Sequence, residues 1–267
     1  MADEKHTWLL GQRVYVATTA ASGCFLGVAL AEAADTESLE QAYGEFAQEA
    51  HDLKPDYAPD TVNTDGWEAT QQAWQRLFPT TTLVLCFLHT VLGIQRLCRR
   101  YSQLYETLTD KLWRLYRSVN RRQFAQRLRR LLEWTQAHVT ADPLRQKLLN
   151  LKTKAAQFMV AFDFPKAYRT SNQIDRLMNY QDRLLYDMLY LHGTHESANQ
   201  ALRAMALLWN FHPYCRKIQT LPPYSTSPFE DLNGFRYHNN WLRNLLIAAS
   251  MNGRRDPRRE KHKLEQN

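Results

Sequence analysis

Arg13-Val14-Tyr15-Val16-Ala17-Thr18-Thr19 and Cys24-Phe25-Leu26-Gly27-Val28-Ala29-Leu30 are two runs rich in β-branched, aromatic and small apolar residues, separated by Ala21-Ser22-Gly23. Two such runs on either side of a short turn sequence predict an antiparallel hairpin. Upstream, Trp8-Leu9-Leu10 ends an earlier extended segment and Gly11-Gln12 turns out of it, so three consecutive antiparallel strands open the chain. Downstream, Leu39, Ala42, Tyr43, Phe46, Ala47 and Ala50 recur on one helical face, with Asp35 or Thr36 placed to cap the start. The segment Lys54-Pro55-Asp56-Tyr57-Ala58-Pro59 ends that helix and leads into Thr61-Val62-Asn63-Thr64-Asp65, a short strand that finishes on an acid. A second amphipathic helix turns Ala73, Trp74, Leu77 and Phe78 inward and stops at Pro79, after which Thr81 to Cys86 forms a buried strand. The order is β-β-β-α-β-α-β. A meander followed by parallel strands that alternate with helices predicts an α/β fold, a mixed sheet with helices on its faces.

Beyond Cys86 the pattern changes. Leu112, Leu115, Tyr116 and Val119, then Phe124, Leu128, Leu131 and Leu132, keep a helical period through a segment that also holds Arg96, Arg99, Arg100, Lys111, Arg114, Arg117, Arg121, Arg122, Arg127, Arg129 and Arg130. Residues 88–164 therefore read as a basic, all-helical insertion into a core begun by residues 1–87. Pro165 resets the chain, and Thr170-Ser171-Asn172 starts a long helix carrying Asp175, Leu177, Met178, Leu184 and Leu185. Residues 165–250 are expected to hold that core helix and further C-terminal helices, one of them near Ala198 to Trp209, with an irregular stretch at Pro213, Pro222, Pro223 and Pro228. Trp209, Phe211, Tyr214 and Phe235 to Trp241 are aromatic-rich, which predicts packing rather than base stacking. Residues 251–267 read as a basic, flexible tail.

Composition fits a folded protein: 44% of residues are hydrophobic and 23% charged, and no apolar run approaches the length that spans a bilayer. The charged start, Met1-Ala2-Asp3-Glu4-Lys5, is unlike a signal peptide. Cys24, Cys86, Cys98 and Cys215 lack paired spacing, which argues against a disulfide framework and for a reducing cytoplasm. The net charge of +7 is unevenly spread: residues 1–65 hold 12 Asp/Glu against 3 Lys/Arg, and the later chain holds the other 31 basic and 15 acidic residues. Acids gathered at one end of a basic chain suit an enzyme that handles a polyanion.

Where the first and fourth strands lie side by side, an acid in the first can face one at the end of the fourth, and Asp3 and Asp65 hold those places. Hard divalent cations take carboxylate oxygens, and two ions about 4 Å apart serve in-line phosphoryl displacement. A third acid is expected from the helix after the insertion, which nominates Asp175, with Asp182 two turns on in reserve. Each has a plainer alternative. Asp65 could cap the helix that follows, Asp3 could be a charged terminus, and Asp175 could sit at the third helical position of a capping box begun by Asn172. Cys86 and His89 have the spacing of two zinc ligands without a second pair, so Cys86 reads as core and His89 as the border of the site.

Five features then stand in order: Asp3 ahead of the Arg13-Val14-Tyr15-Val16 hairpin; Asp65-Gly66 before a Trp/Ala helix and Phe78-Pro79; Cys86-x-x-His89; the long helical insertion; and Ser171-Asn172-x-x-Asp175. The first two acids are 62 positions apart and the second and third 110 apart. With this order and spacing, about residues 1–190 resemble the DDE transposases of bacterial insertion sequences related to the Mutator group, whose catalytic core has a ribonuclease-H-like fold. The resemblance implies that Asp3, Asp65 and Asp175 are catalytic and hold two Mg²⁺ or Mn²⁺ ions, with Cys86, His89 and Asn172 near the site. Arg117, Arg121 and Arg122, clustered within about one turn, would contact the DNA backbone. Hydrolysis at a transposon end would leave a 3′ hydroxyl that attacks a target phosphodiester in the same site. DNA, both transposon ends and target, is the implied partner, and the active form a homo-oligomer in the bacterial cytoplasm, associated with the nucleoid and not with a membrane. The family's third acid is usually Glu, where this chain has Asp175. Its upstream DNA-binding domain has no counterpart here, so the chain reads as N-terminally truncated. Two other outcomes are compatible with the same residues: an inactive remnant that at most binds DNA or a partner, and a ribonuclease-H-like nuclease.

Overall fold

The computed structural model describes residues 1–99, 102–220 and 225–251, side chains at 102 and 103 excepted. Arg100, Pro222, Pro223 and the basic tail beyond Met251 lie outside the described residues. The opening elements follow the expected order: β1 (Ala2–Leu9), β2 (Gln12–Ala21), β3 (Cys24–Ala31), α1 (Thr36–Leu53), β4 (Thr61–Thr64), α2 (Glu68–Leu77) and β5 (Thr82–Leu85). The helical segment comprises α3 (Phe87–Cys98), α4 (Ser102–Tyr116), α5 (Arg121–His138), α6 (Asp142–Thr153) and α7 (Ala155–Met159), closed by a 3-10 turn at Val160–Asp163. Then come α8 (Asn172–Asp187), α9 (His195–Phe211), α10 (Arg216–Gln219), α11 (Pro228–Asn233) and α12 (Trp241–Ser250). No helix among the described residues is long and apolar enough to cross a membrane.

The hairpin forms as its sequence dictates. β2 and β3 pair antiparallel from Tyr15↔Ala31 to Ala21↔Cys24, with an irregularity between Thr19 and Ala20. Ser22 and Gly23 both have positive φ, 51° and 76°, the two-residue turn whose twist matches that of the strands, and glycine takes the second place without strain. The fold is α/β, but its hydrogen-bonded ladders make two sheets and not one: antiparallel β1-β2-β3, and β4-β5 paired parallel from Thr61↔Thr82 to Thr64↔Leu85. β1 ladders with β2 and not with β4, and only its Ala2–Glu4 belongs to the compact unit that holds β4.

Contacts divide the chain into two compact units. The first draws together Met1–Glu4, Ala33–Gln41 and Ala58–Arg176. Its core is built on the helical segment, where Val91, Ile94, Leu112, Leu115, Leu144 and Leu148 are all buried at the spacing of helices that bury one stripe. Phe87, the first residue after Cys86, anchors β5 to that core. Its ring lies 5.3 Å from Phe158, 5.7 Å from Tyr116 and 6.3 Å from Phe124. Burial of such a side chain stabilises by about 1.5–3 kcal/mol. α5 is started by Asn120, whose side chain accepts the Gln123 N–H.

The second unit comprises Lys5–Glu32, Ala42–Tyr57 and the chain from Leu177 onward. Here β3 is an edge strand, and α9 covers it with polar side chains as well as apolar ones. Asn210 accepts from the Phe25 N–H at 2.9 Å and donates to the Phe25 carbonyl at 2.8 Å, and Asn199 accepts from the Leu30 N–H at 2.7 Å. These bonds occupy backbone groups that an edge otherwise offers to another chain. The aromatic C-terminal stretch packs as expected: Phe211, Tyr237 and Ala248 form a buried cluster with Phe229, Phe235 and Trp241 against it.

Candidate metal centre

Every residue of the site belongs to the first unit. The parallel pairing of β4 and β5 runs one bond past the strands, from the Cys86 N–H to the Thr64 carbonyl at 2.7 Å, so Asp65 and Cys86 leave the sheet side by side at its carboxyl end. That edge is where open α/β sheets bind ligands. Asp65 does not cap α2. Its Oδ1 accepts the Trp67 N–H at 2.8 Å in a tight side-chain turn, and Trp67 stands at the helix cap. Gly66 makes the turn possible. Its φ is +97°, and a Cβ there would lie 2.6 Å from Leu85 Cδ1.

Asp3 reaches the site from β1, where Glu4 beside it accepts a 2.7 Å hydrogen bond from the buried Thr70 hydroxyl of α2. Asp175 arrives from the far side of the insertion. The segment before it is moored to the strand ends by two bonds, Asn63 Nδ2 to the Tyr168 carbonyl at 3.1 Å and the Phe87 N–H to the Arg169 carbonyl at 3.1 Å. Asn172 is exposed and is the first residue of α8, so Ser171 and not Asn172 stands at the cap. Its carbonyl accepts the Asp175 N–H at 3.0 Å. Asp175 is thus one residue deeper in the helix than a capping box begun at Asn172 requires.

Ser171 ties the pieces together. Its buried hydroxyl lies 3.4 Å from Cys86 Sγ, from His89 Nδ1 and from Asp175 Oδ2, and its N–H donates to Cys86 Sγ at 3.3 Å. One consistent proton assignment has the thiol and Nδ1–H donating to the hydroxyl and the hydroxyl donating to Asp175. Once the ring gives up its second proton, as binding a metal would require, an imidazole held in that way keeps its lone pair on Nε2, the arrangement that orients metal-bound histidines.

Asp3, His89 and Asp175, each half-buried, offer one ligand atom apiece, all within 4.8 Å of one another. Asp65 stands outside that tightest group but acts on it through its charge. Burial first, then the charges of Asp65 and, more weakly, Asp175 push the Asp3 carboxyl up to about 6, against the opposing pull of His89 and the Glu4 N–H. His89 is raised to about 9, chiefly by its hydrogen bond with Cys86 against the cost of burial, and further by the charges of Cys86, Asp3 and Asp65. Burial alone would raise the Cys86 thiol, but its bonds with His89 and Ser171 outweigh that and lower it. The acids thus make a field that favours a cation, and in the metal-free chain the imidazolium answers it in part.

Of the three acids, separated in sequence by 62 and 110 residues, Asp3 and Asp175 lie in one group with His89, while Asp65 lies outside that group and acts on Asp3 through its charge. The sequence put His89 at the border, whereas its ring offers one of the grouped ligand atoms, and it read Ser171 as part of a helix start and of the Ser171-Asn172-x-x-Asp175 motif, without a role at the site. A hydroxyl residue directly before a helix was the available signal for Ser171. The reserve acid, Asp182, is engaged by Lys5 in an ion pair in the second unit. The three arginines proposed for DNA are all exposed but do not share a turn: Arg117 follows the end of α4, Arg121 and Arg122 open α5, and Arg121 is paired with Asp163 through both its Nε and a terminal nitrogen. No protein-family model matches the chain, and no curated protein matches it.

Proposed function

We propose that this chain carries the catalytic core of a DDE-type transposase, with a ribonuclease-H-like arrangement of its strands, and that it cuts and joins DNA with divalent metal ions. One observation carries the reading: Asp3 and Asp175, from segments far apart in sequence, offer ligand atoms within 4.8 Å of each other and of His89, and Asp65, at the carboxyl end of β4, acts on Asp3 through its charge. The β-β-β-α-β-α-β order and the basic helical segment between the second and third acids support it.

The donor set fits such ions. Carboxylate oxygens are the ligands hard divalent cations prefer, and an imidazole nitrogen beside them favours Mn²⁺ over Mg²⁺. Asp3, Asp175 and His89 would hold one ion, and Asp65, sharing Asp3, a second. Bound there, the ions supply activation of an attacking hydroxyl and stabilisation of the departing oxygen. The protein's own part is positional. The Trp67 N–H and Gly66 fix the Asp65 carboxylate, Ser171 steadies Asp175 and His89, and the strand ends keep their backbones in register. The basic helical segment draws in the polyanion.

The test uses the full chain with Mg²⁺ or Mn²⁺, a labelled pre-cut duplex from the DNA flanking the coding sequence, and a supercoiled plasmid as target. Joined product that disappears with Asp65→Asn is expected. Metal-dependent cleavage without joining would instead mark a hydrolytic nuclease, and neither product with either metal sinks the catalytic reading.

A further inference from the structure

Until ions are bound, the carboxylate cluster repels a phosphodiester, and a strand held there gains from positive charge beside it. Two lysines on α6 are placed to supply it. Lys147 lies within the helix and Lys154 at its C-cap, seven residues or two turns apart, with Leu151 between them on the same face and buried to 1% exposure. Leu151 fixes that face against the core and leaves both exposed amines at its margins. Each amine lies against a glycine of the site's own elements. Lys154 Nζ is 3.9 Å from where a Cβ on Gly66 would stand, directly after Asp65, and Lys147 Nζ is 3.8 Å from the corresponding point on Gly93, one turn beyond His89 on α3. Among the described residues, neither ammonium takes part in an ion pair.

We infer that Lys147 and Lys154 form a rail for the sugar-phosphate backbone of the DNA strand that enters the carboxylate cluster; this rests on the metal-dependent reading above and names how its substrate is held. Seven residues of helix set the two stems about 10 Å apart, close to the rise of three nucleotides along one strand. Lysine ammonium groups are point charges that neutralise phosphates without reading bases, so the rail orients any sequence. Lys154, next to Asp65, contacts the phosphate nearest the reacting bond, and Lys147 contacts one farther along.

The experiment measures binding of a labelled duplex oligonucleotide to the full metal-free chain by fluorescence anisotropy across a range of salt concentrations. With Lys147→Gln and Lys154→Gln combined, the slope of log affinity against log salt should become shallower by about 1.8, close to 0.9 for each lost phosphate contact. Lys147→Arg with Lys154→Arg should keep the wild-type slope. An unchanged slope in the glutamine variant, or no salt-dependent binding by the wild-type chain, overturns the rail. Mn²⁺ titration of the same proteins separates the two failures. Retained or modestly tighter Mn²⁺ binding in the glutamine variant with an unchanged salt slope removes only the lysine assignment. Mn²⁺ binding that is indifferent to Asp65→Asn removes the site reading and the rail with it.

Discussion

Gly66 makes a strict demand on residue identity, because its positive φ strains any side chain and a Cβ there would force the methyl of Leu85 to move. Gly66→Ala is expected to destabilise by about 1–3 kcal/mol in urea unfolding; a loss within experimental error would mean that the Asp65 turn is not held as described. Asp3 gives a pH test in the metal-free chain. Its carboxyl lies at about 6 in the folded protein against an ordinary 3.8, so between those values the folded state binds more protons than the unfolded one. Its contribution is therefore most favourable below 3.8 and is lost as pH rises through about 6. Asp3→Asn should be more stable than wild type by about 1–3 kcal/mol above that range and equal to it below. A variant no more stable at neutral pH would remove the crowding of carboxylates. His89→Ala should lower Mn²⁺ affinity more than Mg²⁺ affinity, since the lost donor is a nitrogen; equal losses for the two metals would return His89 to the border of the site. At this scale the sequence was most legible for the acids, whose residue type already names their chemistry. Ser171 was not legible, because its part depends on three neighbours that only the fold brings within 3.4 Å.

Elements were legible where a period or a turn speaks for itself. The runs from Arg13 and Cys24 differ from the stripe at Leu39, Ala42, Tyr43 and Phe46 as strand differs from helix, and both formed as expected. The ladders were less legible. Alternation reports which face of a strand is buried but not which strand it joins, so the division into β1-β2-β3 and β4-β5 was not written in it. The covering of β3 by α9 was hidden for a similar reason, since Asn199 and Asn210 read as ordinary polar positions on a helix. Asn210→Ala leaves the Phe25 N–H and carbonyl without those partners and should cost about 1–3 kcal/mol in urea unfolding. A cost near zero would show that water replaces both bonds and that α9 guards the edge by apolar packing alone.

For the molecule as a whole, the site depends on chain return. Met1–Glu4, the end of β4 and the start of α8 belong to one unit although the helical segment and much of the second unit separate them in sequence. The charge asymmetry has the same logic. Acids concentrated in residues 1–65 supply two of the three carboxylates, and the basic remainder supplies the surroundings that a polyanion needs. The central claim is that these carboxylates hold divalent cations, and a calorimetric Mn²⁺ titration of the full chain tests it most directly. The wild-type chain should bind with saturable affinity, and Asp65→Asn and Asp175→Asn should each weaken binding about tenfold or more, the scale on which even supporting groups of a metal site register. A wild-type chain that takes up no Mn²⁺, or variants that bind as wild type does, would contradict it.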